Sequence, residues 1–346
     1  MGKYNKIYVF APYKHATGGV ELSHQLVDYL RNKGESAFIV YVKKNSLMIV
    51  DGDTDVTAEY FRYNVKVESQ IEDSGDNIMV LPEIYFDFIL KFRNIRIGCW
   101  WMSVDNRYDY VSFWPYFMHR KSLLLKFKVL IKHFFFGEFN LYKNTNKDLV
   151  TNGSRIIHFY QSHYAYQHLL NLGIKNVRPL SDYINVELSS SISNKEQNRD
   201  DVILYNPSKG YRFVKKIIDA MPGNNFVALR GFTRQQLLSL MQKSKLYIDF
   251  GEFPGKDRLP REAVINGCCV ITGRCGASKY FEDVPICDDY KFSVGFFEYR
   301  SVKKIVKKIR YVLEHYEECT LDFNNYRDQV LHEQADFYKE IEDIFI

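Results

Sequence analysis

The stretch Asp249-Phe250-Gly251-Glu252-Phe253-Pro254-Gly255-Lys256-Asp257-Arg258-Leu259-Pro260-Arg261-Glu262-Ala263 decides the reading of this chain. It leaves an apolar, strand-like run, Leu246–Phe250, and crosses a loop dense in charge, Gly and Pro. It then enters a helix opening near Pro260, where a missing N–H costs nothing in the first turn. Gly267 and a second apolar run, Cys269-Val270-Ile271-Thr272, follow. Strand, charged loop, helix and strand in that order describe a βαβ unit with a parallel sheet. In such sheets, ligands bind at loops leaving the C-terminal ends of strands. Lys256 and Arg258 are suited to neutralise a diphosphate, and Glu262 to accept hydrogen bonds from ribose hydroxyls.

Outward from this stretch the same alternation recurs. On its N-terminal side, Val202–Tyr205 and Phe226–Leu229 are strand-like, while Tyr211–Ala220 and Arg234–Gln242 have helical periodicity. The segment Ser189–Asn198 is polar and aperiodic and has the composition of a linker. Before it lie Ile7–Ala11, a helix from Val20 closed by Gly34, and the strand candidates Ala37–Val42, Ile78–Leu81, Ile95–Trp101 and Ile156–Tyr160. A helix from Tyr164 to Leu172 ends at Gly173, and two long helical patterns, Val302–His315 and about Asn325–Phe345, finish the chain. The expected architecture is α/β, with two Rossmann-like doubly wound domains: residues 1–185, a linker 186–200, residues 201–324, and a final helix 325–346 returning to the first domain.

Composition narrows the function classes. The chain has 346 residues, 46% of them hydrophobic and 26% charged, which is an ordinary globular balance. A net charge of +5 does not argue for a nucleic-acid partner. No apolar run is long enough for a membrane span and no signal-peptide pattern opens the chain, so a cytoplasmic location is expected. The six cysteines contain no C-x-x-C pair and read as reduced, mostly core residues.

Further motifs carry candidate chemistry. Gly18-Gly19-Val20-Glu21 joins the first strand to the first helix, where glycines permit close backbone approach and a helix N-terminus favours an anion; a tight βα turn explains it equally well. Asn206-Pro207-Ser208-Lys209-Gly210 follows the first strand of the second half. Ser103, Asp105 and Asn106 end the strand containing Trp100-Trp101, with helix capping as the alternative to a substrate role. His119 to Phe136 contains no acid, and a helix there would set Lys121, Lys128 and Lys132 opposite an aromatic face. That suits either an anionic membrane surface or a core helix with a solvated side. Asp51, Asp53 and Asp55 form an acidic turn that fits no calcium-loop spacing.

Taken together, these residues resemble GT-B glycosyltransferases, above all the retaining group whose second domain carries E-G-F-G-L-P-x-x-E-A followed by G-x-P-V-I. Leu259-Pro260-Arg261-Glu262-Ala263, then Gly267, Val270 and Ile271, are similar to that motif. Gly18-Gly19-Val20-Glu21 is similar to its N-terminal G-G-x-E, and Asn206 to Gly210 to its phosphate-binding segment. The resemblance implies a nucleoside diphosphate sugar as donor, bound by Gly18, Gly19, Asn206, Lys209, Gly210, Lys256, Arg258, Leu259, Pro260 and Glu262. It implies a glycan or lipid-linked glycan acceptor near Ser103, Asp105 and Asn106, no metal or other cofactor, and retention of configuration. It also implies a place in bacterial surface-polysaccharide synthesis, with possible attachment to the inner membrane's cytoplasmic face. Where the group has its first motif glutamate this chain has Pro254, and Glu252 or Asp257 is left to act near the donor sugar, with Asp105 as candidate base. Two other functions fit the same residues: a nucleotide-sugar epimerase, and a non-catalytic protein that binds a nucleotide sugar.

Overall fold

A computed structural model describes residues 2–43, 47–51, 55–111, 127, 131, 155–185, 199–294 and 298–346. The chain divides into two compact units. The first comprises Met1–Gln161, Ala165–Asp182 and Asp336–Ile346; the second comprises Ser162–Tyr164 and Tyr183–Ala335.

The first unit is a six-stranded parallel sheet in the order β2-β1-β3-β4-β5-β6. Its strands are β1 (Ile7–Pro12), β2 (Ala37–Val42), β3 (Ile78–Pro82), β4 (Arg96–Trp101), β5 (Ile156–Tyr160) and β6 (Val177–Pro179). Ile7 to Ala11 are almost wholly buried along their length, as in a sheet covered on both faces rather than one. Helix α1 (Gly18–Asn32) connects β1 to β2 and buries Val20, Leu22, Leu26, Val27 and Leu30. It ends as the sequence suggests: Gly34 has φ +89°, and Glu35 N–H returns to Leu30 O at 3.0 Å. Helices α2 (Val104–Val111) and α3 (His163–Asn171) follow β4 and β5, and a 3-10 stretch, Glu83–Lys91, follows β3.

The second unit is a five-stranded parallel sheet, β11-β10-β9-β7-β8. Its strands are β7 (Asp200–Tyr205), β8 (Asn225–Ala228), β9 (Ser244–Asp249), β10 (Cys269–Gly273) and β11 (Lys291–Phe292). Helices α4 (Tyr211–Asp219), α5 (Arg234–Lys243) and α6 (Arg258–Ile265) make the crossovers, and α7 (Glu298–Glu314) covers the sheet. The last helix, α8 (Asn324–Phe345), lies in the second unit as far as Ala335 and in the first from Asp336. In the first unit Tyr338 stacks on Tyr29 at 4.0 Å between ring centroids, and Glu340 accepts from Ser181 N–H at 2.6 Å.

The order of the second sheet positions a site. The chain leaves β7 for β8 on one side, then crosses to β9 on the other. The loops after β7 and β9 therefore diverge, opening a crevice at the carboxyl ends of these two strands. In the first sheet the equivalent point lies between β1 and β3. The linker Ser189–Asn198, the basic segment with Lys121, Lys128 and Lys132, and Asp53 lie outside the described residues. All six cysteines are free: four are buried, while Cys275 is half-buried and Cys287 is exposed rather than part of the core.

Candidate donor site

The loops after β7 and β9 are locked together by two glycines. Gly210 has φ +62°, and a β-carbon there would stand 2.4 Å from the Phe250 carbonyl oxygen. A β-carbon at Gly251 would lie 2.4 Å from Lys209 Cβ. Side chains at either position would push the two backbones apart, so glycine fixes their spacing. Asn206 shapes the first loop, its Oδ1 accepting from Ser208 N–H at 3.0 Å in an Asx turn.

Asp249, the last residue of β9, is buried. Its Oδ1 accepts from Gly251 N–H at 2.9 Å and its Oδ2 from Tyr247 O–H at 2.7 Å. Burial pushes its carboxyl up to about 6, against the opposing pull of these two donors. Lys209 Nζ donates to both carboxylate oxygens of Asp257, at 2.9 and 2.8 Å, and to Glu252 O at 3.3 Å. Asp257 stands at the N-cap of α6 without capping it, since its carboxylate is engaged by Lys209. Burial raises the Asp257 carboxyl and Lys209 opposes that rise.

Helix α6 begins at Arg258, so Pro260 is its third residue and still within the first turn. Glu262 is 1% exposed, and its Oε1 is shared by Arg234 Nη1 at 2.6 Å and by Arg258 Nε. Arg234 reaches it from the first position of α5. There Thr233 and Gln236 form a capping box: Gln236 N–H donates to Thr233 Oγ1 at 3.3 Å, and Thr233 N–H to Gln236 Oε1 at 2.9 Å. Arg261 is buried and ties the loop to α8. Its Nη1 donates to Glu333 Oε2 at 2.8 Å, its Nε to Asp257 O at 3.3 Å and its Nη2 to Lys256 O at 3.1 Å. Lys256 Nζ lies 3.0 Å from Glu333 Oε1, so this candidate diphosphate ligand is held by a carboxylate of α8.

The second unit thus gathers Lys209, Gly210, Asp257, Arg258 and Glu262 at one edge of its sheet and adds Arg234 and Glu333, which local sequence did not single out. Lys209, Arg234, Lys256, Arg258 and Arg261 face Asp257, Glu262 and Glu333, with Asp249 beside Lys209 and Asp283 near Lys256, so the cations are largely matched by carboxylates. Lysine and arginine side chains beside glycine backbone at a strand-order reversal are suited to a phosphorylated ligand. Glu252 is exposed and contributes its carbonyl, Leu259 is half-buried and Pro260 is buried.

In the first unit, Gly18 and Gly19 open α1, and a β-carbon at Gly19 would lie 3.3 Å from Met102 Sδ. Ser103 is buried and its Oγ has no hydrogen-bond partner among the described residues; Asp105 is half-buried and Asn106 exposed in the first turn of α2. Beside them Glu83, which sequence reasoning passed over, accepts from Met102 N–H at 3.1 Å, and burial pushes its carboxyl up to about 7. The only local sign of Glu83 is its place directly after the apolar run Ile78–Leu81 and Pro82.

No family model matches the sequence. A search of curated proteins likewise finds no match. Solved structures do match along the whole chain. Sucrose-phosphate synthase from Thermosynechococcus elongatus superposes with a TM-score of 0.62 at 9% identity, over 98% of each chain. HepE (Alr3699) from Anabaena, in complex with UDP and glucose, gives 0.60 at 11% identity, over 98% of this chain and 99% of its own. WaaG, a glycosyltransferase involved in lipopolysaccharide biosynthesis, gives 0.56 at 12% identity, over 98% of each chain. With its two parallel sheets of six and five strands, the chain has the α/β fold of GT-B glycosyltransferases.

Proposed function

We propose that this protein transfers a sugar from a nucleoside diphosphate sugar to an acceptor hydroxyl. The observation that carries the reading is the interlocked pair of loops at the β7/β9 crevice, with Lys209, Arg234 and Arg258 gathered beside glycine backbone. The fold supports it, as does the UDP and glucose bound by HepE, a protein of the same architecture. The donor's diphosphate would lie against Lys209, Arg258 and Arg234, which stabilise negative charge as the bond from the sugar's anomeric carbon to the leaving phosphate oxygen breaks. The acceptor oxygen forms the new bond to that carbon and gives up its proton to a general base. Glu262 would hold the ribose and the two arginines together. Protein cations take the role that a metal plays in other nucleotide-sugar sites. Retention of configuration, a lipid-linked glycan acceptor and a place in surface-polysaccharide synthesis complete the reading; the lipopolysaccharide role of WaaG supports the last of these.

Non-catalytic binding of a nucleotide sugar is the second reading, favoured by Pro254 in place of a motif glutamate and by the arginines already on Glu262. Donor hydrolysis by the purified chain, followed as release of nucleoside diphosphate, separates the two. Catalysis predicts measurable release that falls at least about tenfold in Glu262→Ala, roughly the loss of one transition-state interaction. Release equal to buffer alone, with nucleotide still bound, establishes the second reading; release unchanged by the substitution removes Glu262 from the site.

A further inference from the structure

Two buried carboxylates of the second unit share one ammonium. Asp249 ends β9 and is 2% exposed; Asp257 precedes α6, and its side chain is 18% exposed. Lys209, from the loop after β7, is bonded to one and close to the other. Its Nζ donates to Asp257 Oδ1 at 2.9 Å, to Asp257 Oδ2 at 2.8 Å and to Glu252 O at 3.3 Å. An ammonium on a side chain has three protons to donate, so these acceptors can engage all of them. Asp249 has its own donors, Gly251 N–H on Oδ1 and Tyr247 O–H on Oδ2. The Lys209 stem passes beside it: a β-carbon at Gly251 would lie 2.4 Å from Lys209 Cβ and 3.0 Å from Asp249 Oδ1.

Burial pushes both carboxyls up, the Asp257 charge pushes Asp249 further, and Lys209 pulls both down. The other titratable groups facing the pair are Arg261, which also lowers Asp257, and Tyr247, on Asp249. An anion can take a proton of the Lys209 ammonium only by displacing an acceptor already there. The lysine is the partner able to move, because 34% of its side chain is exposed. Drawing it towards a diphosphate would leave two buried carboxylates with one countercharge fewer, an arrangement that is costly unless one of them binds a proton.

We propose that Asp257 competes with the donor's diphosphate for Lys209, so that binding of a nucleoside diphosphate sugar is coupled to uptake of one proton by the Asp249/Asp257 pair. The inference rests on the donor site proposed above and gives Asp257 a positioning role, exerted through Lys209 rather than on the sugar. The proton comes from solvent, forms an O–H bond on one carboxylate and is released when Lys209 returns; the charge on Lys209 does not change.

The test is calorimetric titration of the whole chain with UDP-glucose and GDP-glucose, whose diphosphate diesters do not titrate near neutrality, in two buffers of different ionisation enthalpy. Uptake of roughly half a proton to one proton is expected near pH 6, with affinity about tenfold higher there than near pH 8, because the bound form holds the extra proton. Asp257→Asn is expected to lose at least about half of that uptake and to bind on the order of fivefold more tightly near pH 8, the upper end for a partly exposed ion pair. Glu83→Gln, which removes the other carboxyl raised by burial, is expected to leave the uptake unchanged. Should Asp257→Asn fail to fold, Asp249→Asn reads the same loss of uptake. Binding without proton uptake overturns the inference and leaves the donor site standing. So does an Asp257→Asn protein that binds no more tightly than the parent, or uptake that is lost in Glu83→Gln instead. Binding of neither probe overturns the donor site itself, and the inference with it.

Discussion

Replacing Gly210 by Ala tests whether the crossing of the two loops forms the donor site. The native backbone holds φ at +62°, which disfavours a residue with a β-carbon by about 1–2 kcal/mol. The added carbon would also meet backbone: 2.4 Å from Phe250 O, 2.6 Å from Phe250 C and 2.8 Å from Gly251 N. These atoms cannot rotate aside as a side chain would, so the β7 and β9 loops must separate by several tenths of an ångström, at a further ~1–3 kcal/mol typical of overpacking. The sum, on the order of 2–5 kcal/mol, should lower the melting temperature of the second unit by roughly 5–15 °C. Nucleoside diphosphate affinity should fall more steeply than stability, because Lys209 follows the loop that moves. The assay is a urea melt paired with calorimetric titration of UDP and GDP. Gly18→Ala is the control for stability alone, since nothing lies within 4 Å of a β-carbon at that position. A Gly210→Ala protein as stable as the parent, binding nucleotide equally well, refutes the reasoning.

Other perturbations have equally definite outcomes. Glu83 binds its proton more tightly folded than unfolded, so its contribution is fully present below about pH 4.5 and is lost as pH rises towards 7, amounting to at most about 3 kcal/mol. Glu83→Gln keeps an acceptor for Met102 N–H, and its urea midpoint should change less between these pH values than the parent's; an unchanged slope contradicts the assignment. His24 Nε2 accepts from Tyr41 O–H at 2.8 Å while its Nδ1 donates to Val20 O at 2.7 Å, and burial lowers its pKa to about 4. Tyr41→Phe should therefore cost about 1–3 kcal/mol in a chemical melt by stranding the buried Nε2; a cost near zero removes that bond from the account. Glu333→Gln releases Lys256 and Arg261 from a buried carboxylate and should destabilise the second unit by about 3–5 kcal/mol, read as a lower urea midpoint.

The sheets were legible because their strands are short, continuous apolar runs separated by helices of clear periodicity, as with Ile7–Ala11 and Cys269–Thr272. The edges were not. Val177–Pro179 and Lys291–Phe292 are too short and polar to stand out, and they are strands through pairing with β5 and β10. Within the site, Lys209, Asp257, Arg258 and Glu262 were visible as charges on loops and helix starts next to strands. Their partners were not visible: Arg234 meets Glu262 and Glu333 meets Arg261 only once the crossovers and the last helix are folded. Local pattern reports which residues line a loop, whereas a buried ion pair is a property of chain topology. Asp249 shows the same limit. Its place in the strand-like run Leu246–Phe250 was legible, but its partners were not: in the structure it is the buried end of β9, satisfied by Tyr247 and Gly251.

The most direct test of the central claim is the shift in melting temperature produced by UDP, GDP, CMP and their sugar conjugates, with and without a chelator. A donor site built from protein cations predicts a shift of several degrees for one nucleoside diphosphate, insensitive to chelation and lost in Lys209→Met. No shift with any nucleotide would contradict a donor site at the β7/β9 crevice, and a shift abolished by the chelator would contradict its independence of metal.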